Sequence, residues 1–246
     1  LQVGASEAGV TFDTPLGKNV TALVSVRRSY LQFLFQALGL PFLPNYWDFQ
    51  GKVNWELSDK TEVTFIGLGA IDRFEKNDPE NIEEGQEYIL DGLPITEQDN
   101  YTVGARVKHL LKNGFVSVAV SRNWLSNRQF REDSLGNVNI DYNSVEAENK
   151  IRVNTLQKLG DWQLRYGGVV QLAEFSTESA ILDGETNTYD STDASLLFVR
   201  YGFHAGVART FFNKLETSLG FRVDMNSFTT DGHNPLATFS PRLSLS

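Results

Sequence analysis

The feature that most restricts this chain is a two-residue alternation of apolar and polar side chains sustained over stretches of about ten residues, since only an extended strand places every second side chain on one face. Across residues 47–57 one face reads Trp47, Phe49, Gly51, Val53, Trp55, Leu57, and the other Asp48, Gln50, Lys52, Asn54, Glu56. Every charge falls on the second. Residues 215–226 sort in the same way, with Leu215, Leu219, Phe221, Val223 and Met225 opposite Glu216, Arg222 and Asp224. The pattern recurs over 20–27, 101–109, 115–124, 145–155, 162–174 and 197–209. Residues 61–72 are strand-like but without a clear phase, because both faces are mostly apolar or Gly.

The connections come in two kinds that take turns. Short ones at 16–19, 58–60, 112–114, 159–161 and 212–214 carry the Gly, Asn and Asp chemistry of tight hairpins. Long polar ones lie between them, at 31–46, 75–100, 131–144, 177–193 and 230–235. One end of the sheet therefore has tight turns and the other has long loops. Eleven strands are expected, the last from about residue 237, in a single unbroken meander.

Long antiparallel strands with short turns at one end and long loops at the other describe an outer-membrane β-barrel. A soluble sandwich or up-and-down barrel is the competing account of the same alternation. The membrane reading is favoured by strand length, by one-sided loops, and by aromatic residues near run ends on the apolar face. Trp55 and Trp162 stand beside short turns and Trp47 and Trp124 towards the loops, as interfacial girdles would. No stretch approaches the roughly 20 apolar residues of a spanning helix. The fold class expected is all-β, a transmembrane antiparallel up-and-down β-barrel.

On this reading the polar face lines a lumen, with Arg27, Asp48, Lys52, Glu56, Arg106, Lys108, Glu148, Lys150, Arg152, Arg165, Arg200, Arg222 and Asp224 facing the interior or a plug. The mixture of signs predicts salt-bridge ladders rather than a selectivity ring of one charge. Bacterial single-chain barrels have even strand counts. About 10–11 strands would thus be part of a larger barrel, with residues 1–246 belonging to one β-barrel domain.

Several phrases resemble TonB-dependent outer-membrane receptors of the Bacteroidetes type. They are Val24-Ser25-Val26-Arg27-Arg28-Ser29-Tyr30, then Leu38-Gly39-Leu40-Pro41-Phe42-Leu43-Pro44, and Tyr46-Trp47-Asp48-Phe49-Gln50-Gly51-Lys52-Val53. Phe65-Ile66-Gly67-Leu68-Gly69-Ala70-Ile71-Asp72 and Phe239-Ser240-Pro241-Arg242-Leu243-Ser244 complete the order. The resemblance implies a barrel of roughly 22 strands filled by an N-terminal plug domain, in the cell outer membrane. It also implies import of a scarce nutrient such as a siderophore, glycan or peptide, energised by the TonB complex, with a surface lipoprotein lid as a further partner. Within these 246 residues neither the plug nor the TonB-contacting segment is recognised, and the remaining strands are expected elsewhere in the native chain.

No enzyme chemistry is expected. The chain has no Cys, which excludes disulfides and thiolate metal ligands, and its three His (His109, His204, His233) lack metal-ligand spacing. His204 falls on the polar face, where a barrel hydrolase could pair it with an acid; a hydrogen-bonded wall residue is the plainer reading. No nucleic-acid partner is expected at a net charge of −9. No cofactor is expected either, although Asp78, Glu80, Glu83, Glu84 and Glu87 could hold calcium in the acidic 72–100 segment, whose ten acidic and two basic residues carry nearly all of that charge. Arg27 and Arg28 could meet a plug or an anionic ligand, or form wall salt bridges. The alternative function is a small passive outer-membrane channel or barrel enzyme that closes by itself.

Overall fold

The computed structural model describes residues 1–77, 80, 82, 87–133, 136–184, 186–212 and 214–245. They form one antiparallel sheet whose strands lie side by side in chain order. The strands are β1 (Gln2–Val3), β2 (Glu7–Pro15), β3 (Val20–Ser29), β4 (Phe42–Ser58), β5 (Thr61–Lys76) and β6 (Ile95–Leu111). They continue with β7 (Gly114–Glu132), β8 (Val138–Leu159), β9 (Trp162–Asp183), β10 (Thr188–Phe211), β11 (Leu215–Asn226) and β12 (Ser240–Leu245). Two short helices, α1 (Leu31–Ala37) and α2 (Glu87–Gly92), sit in loops at the same end. The sheet is thus all-β and up-and-down, as its hairpin rhythm predicts.

Three expectations are corrected. There are twelve strands among the described residues, not eleven, because the two-residue β1 pairs Gln2 with Gly9 and Val3 with Ala8. The last strand begins at Ser240, not near 237. The loops expected at 131–144 and 177–193 are largely strand: the β7–β8 and β9–β10 ladders run on until Glu132 meets Val138 and Asp183 meets Thr188. The phase seen nearer the short turns is lost there, since Val138, Ile140 and Tyr142 share parity with the charged face and Asn139, Asp141 and Asn143 with the other, while the backbone keeps its partner. A backbone ladder needs no apolar face to form.

The longest strand, β10, has 24 residues. At about 3.3 Å per residue it reaches roughly 79 Å, so even tilted at 45° it exceeds an apolar band of about 25 Å. The apolar face accordingly covers only the part of each strand nearest the short turns. One of those turns departs from the expected chemistry: Phe212 takes a left-handed φ of 55°, a conformation costly for a side chain of its size. Gly160 meets the same need with φ 60°.

Packing cannot be what stabilises this sheet. Among the described residues the buried hydrophobics are only Leu90, Ala147 and Ala173. Exposed surface is 16154 Å², against about 11,000 Å² for a folded globular chain of this mass. Phe65 (47 % exposed), Val103 (47 %), Val120 (46 %), Ile151 (54 %), Val170 (52 %) and Phe203 (53 %) stand on one face with no second layer over them. A soluble sandwich would bury that face; hydrocarbon would solvate it.

We expect Val118→Arg, in the middle of that band on β7, to destabilise the protein by about 2–4 kcal/mol in urea unfolding from lipid vesicles. Asn123→Arg on the same strand turns to the other face opposite Glu148, and should shift the midpoint by less than about 1 kcal/mol.

Candidate functional site, the charged face of the sheet

Antiparallel register carries one face from strand to strand without interruption. Arg27 lies opposite Asp48, Lys52 opposite Ile66, Glu62 opposite Lys108, Arg106 opposite Ala119, and Ala119 opposite Arg152. The chain of pairs continues through Lys150 and Gln171, Gln171 and Arg200, and His204 and Arg222, with Arg165 opposite Gly206. All thirteen residues expected on the polar side therefore share one face. The phase that 61–72 did not reveal is settled the same way: Glu62, Thr64, Ile66, Leu68, Ala70 and Asp72 join this face because Lys52 fixes Ile66.

Most of these charges are spent on one another. Arg27 sits between Glu7 (3.4 Å) and Asp48 (3.0 Å), and the Tyr46 hydroxyl donates to Glu7 at 3.0 Å. Arg106 meets Glu62 at 2.8 Å. Glu148 accepts from Lys150 at 2.6 Å and Arg200 at 3.0 Å, tying β8 to β10 across β9. Arg222 grips Asp224 through two bonds of 2.6 and 2.8 Å. Each pair is at least partly open, so each contributes at most about 1 kcal/mol; the ladder sets orientation more than stability. Arg165 donates to Gln163 at 3.1 Å, and Lys52, Glu56 and Arg152 make no ion pair among the described residues.

Those three unpaired charges line one cavity. It encloses about 690 Å³ and its wall includes Thr21, Lys52, Asn54, Glu56, Glu62, Thr64, Arg106, Ser121, Lys150 and Arg152, from six successive strands β3 to β8. A concavity spanning six strands means that the sheet curves towards its charged side. The arrangement can hold a polar solute or the polar surface of a protein domain by hydrogen bonds and charge. Within its wall the Thr64 hydroxyl donates to Glu62 at 3.2 Å.

Two glycines shape the neighbouring wall. A Cβ on Gly202 would stand 2.5 Å from Asp224 Oδ1 and 2.9 Å from the Val223 carbonyl oxygen, so only Gly lets the Arg222–Asp224 pair lie flat across β10. A Cβ on Gly167 would meet the Val153 carbonyl oxygen at 2.3 Å and the His204 ring at 2.8 Å. His204 faces Arg222 across the ladder, and among the described residues it makes no ion pair with an acid. His109 and His233 bond instead to the Thr61 hydroxyl (2.8 Å) and the Tyr201 hydroxyl (2.9 Å).

Other expected sites separate. Arg28 lies on the opposite face from Arg27 and stacks over Trp47 at 4.9 Å, away from any ligand of the charged side. Among the described residues no cluster of three His, Cys, Asp or Glu could hold a metal ion. Of the calcium candidates, Asp78, Glu83, Glu84 and the side chain of Glu87 lie outside the described residues. The aromatic residues of 31–46, which the sequence offers as a ledge for a partner or as packing of the loop itself, do pack within the loop end: Phe35 of α1 meets Phe42 at 5.2 Å and Phe42 stacks on Phe74 at 5.2 Å. The apolar run was too short in periodicity to show α1 as a helix.

No protein-family model and no curated protein matches the chain. Solved structures do. The copper transporter OprC is 13% identical, with a TM-score of 0.63 over 98% of this chain and 41% of that one. A ferric enterobactin receptor, PfeA of Pseudomonas aeruginosa, is 13% identical, with a TM-score of 0.68 over 97% of this chain and 38% of that one. The outer membrane transporter YddB of Escherichia coli is 11% identical, with a TM-score of 0.64 over 96% and 35%. The sheet thus has the fold of part of these barrels, and the chain spans about two-fifths of the length of the first two.

Gly202→Ala should cost about 1–3 kcal/mol, because the nearest atoms include a backbone carbonyl that cannot swing aside. The urea midpoint in lipid vesicles reads this directly.

Proposed function

We propose that this chain is barrel wall of a TonB-dependent receptor that imports a scarce nutrient across the outer membrane. The observation that carries the reading is the pairing of one continuous apolar face, bare of any protein layer, with one continuous charged face lining a polar concavity. A bilayer solvates the first, and a water-filled or plugged lumen suits the second.

The fold shared with OprC, PfeA and YddB supports this reading, as do the Bacteroidetes-type phrases around Arg27, Asp48 and Lys52. The charge ladder is suited to a plug domain, because paired charges of both signs can exchange partners with a polar protein surface at little net cost. The TonB complex would then energise plug movement. A surface lipoprotein lid would meet the loop end, where Phe33 and Leu34 of α1 and the following Leu38 face solvent. The substrate class stays open among siderophores, glycans, peptides and metal complexes.

The test is uptake by cells carrying the full-length protein. Import of the cognate nutrient should fall at least tenfold when the gene is deleted, and equally when the proton-motive force is dissipated. Passive uptake unaffected by loss of TonB would replace the receptor with a channel.

A further inference from the structure

The apolar face is not free of charge, and the exceptions share a sign. Among the described residues, within nine residues of the short turns, the charges directed to that face are Arg28, Arg122 and Arg209. Arg209 belongs to the turn end, where it meets Asp161 at 2.9 Å and lies 5.0 Å from the Trp162 ring. Arg28 and Arg122 occupy the other limit of the band, each the ninth residue of its strand, and among the described residues neither meets a carboxylate.

Arg122 is the better built. Tyr101 and Trp124, each the eleventh residue from the short turn at 112–113, stack on one another at 5.5 Å. Eleven tilted residues rise about 25 Å, which puts this pair at the second polar boundary of a bilayer. Arg122 starts one outward position nearer the hydrocarbon, between Val120 and Trp124 on the same face of β7. It reaches back so that Nε donates to the Tyr101 hydroxyl at 3.1 Å, and Nη1 donates to Asn149 Oδ1 at 3.0 Å. Both acceptors are neutral, so the positive charge is oriented but not cancelled. The nearest acid on that face of β6, Asp99, already binds Arg73 through two bonds of 2.8 and 3.2 Å. A guanidinium has five N–H donors, and three of Arg122's remain unspent at a lipid boundary.

We propose that Arg122, oriented by Tyr101 and Asn149, binds the phosphate of a lipid headgroup in the leaflet on the loop side. Phosphate is the anion a bilayer presents at that depth, and guanidinium forks match its oxygens. The charge would otherwise be dehydrated against hydrocarbon with no counter-ion, a cost that falls away only at the interface. A carboxylate on the protein would have served if the group were purely structural.

The proposal rests on the membrane-wall reading, and the two can fail separately. Full-length protein that stays in solution without detergent defeats the wall reading before any lipid is added. If detergent is needed, the delipidated protein is titrated with diphosphoryl lipid A or its dephosphorylated form, and native mass spectrometry counts the adducts. Wild type should bind the phosphorylated lipid about tenfold more tightly than the dephosphorylated one. Arg122→Gln should lose that preference, while Lys112→Gln, which removes a charge at the short turn, should keep it. Heat-modifiable migration checks that each variant is folded; should Arg122→Gln fail it, Arg122→Lys takes its place, with a partial loss expected because the charge stays but the fork is gone. Equal binding of the two lipids, an unchanged preference in the Arg122 variant, or inorganic phosphate binding as tightly as the lipid overturns the proposal.

Discussion

Everything in this structure depends on the interstrand backbone ladder. In a medium without water every N–H and C=O must find a partner inside the protein, and a strand can find one only in the strands beside it. Twelve strands in strict chain order answer that requirement with the shortest connections available. Each hairpin then supplies its own register, from the turn at 59–60 between β4 and β5 to the turn at 160–161 between β8 and β9. The ladder replaces the hydrophobic core that a globular chain of this length would build.

Once register is fixed, side-chain alternation yields two surfaces of opposite character from one sheet. The apolar one is left bare, with Ile151, Val170 and Phe203 exposed in a row across β8, β9 and β10. The charged one is cross-linked over several strands by short, partly open ion pairs, of which Glu148 holding both Lys150 and Arg200 is the widest. Where a pair must lie flat against the wall the strand beneath it carries Gly, as Gly202 does under Asp224. Curvature towards the charged side gathers Lys52, Glu56 and Arg152 around one cavity without pairing them, and leaves that part of the wall able to engage something else.

The extent of the strands was the least legible part of the fold in sequence. Alternation reports the contrast between two solvents, so it is strong where β7 runs from Val116 to Trp124 and changes phase beyond, where β7 and β8 continue to pair up to Glu132 and Val138 with Ile140 and Tyr142 on the face that carries charge nearer the short turns. The helix α1 was hidden for a related reason: it buries none of its residues fully, and its Phe35 docks on Phe42, which stacks in turn on Phe74 of β5. Phe212 was unreadable as a left-handed residue because its type argues against that conformation; the hairpin around it imposes φ 55°.

By itself the sequence determined the strand period, the order of short and long connections, and, outside 61–72, which residues near the short turns share a face, because these follow from bonds between neighbours along the chain and from the preference of each side chain for water or hydrocarbon. Arg27 and Arg28 remained joint candidates for a plug or an anionic ligand until the register set Arg27 beside Asp48 and Arg28 beside Trp47 on opposite faces. Only the tertiary structure decided which charges meet. The Glu148–Arg200 pair joins residues 52 positions apart, and Arg122 turns to Tyr101 and Asn149 rather than to an acid; both depend on how far each strand slides against the next. That displacement is a sum over many ladder bonds and turns, which no local run of residues contains.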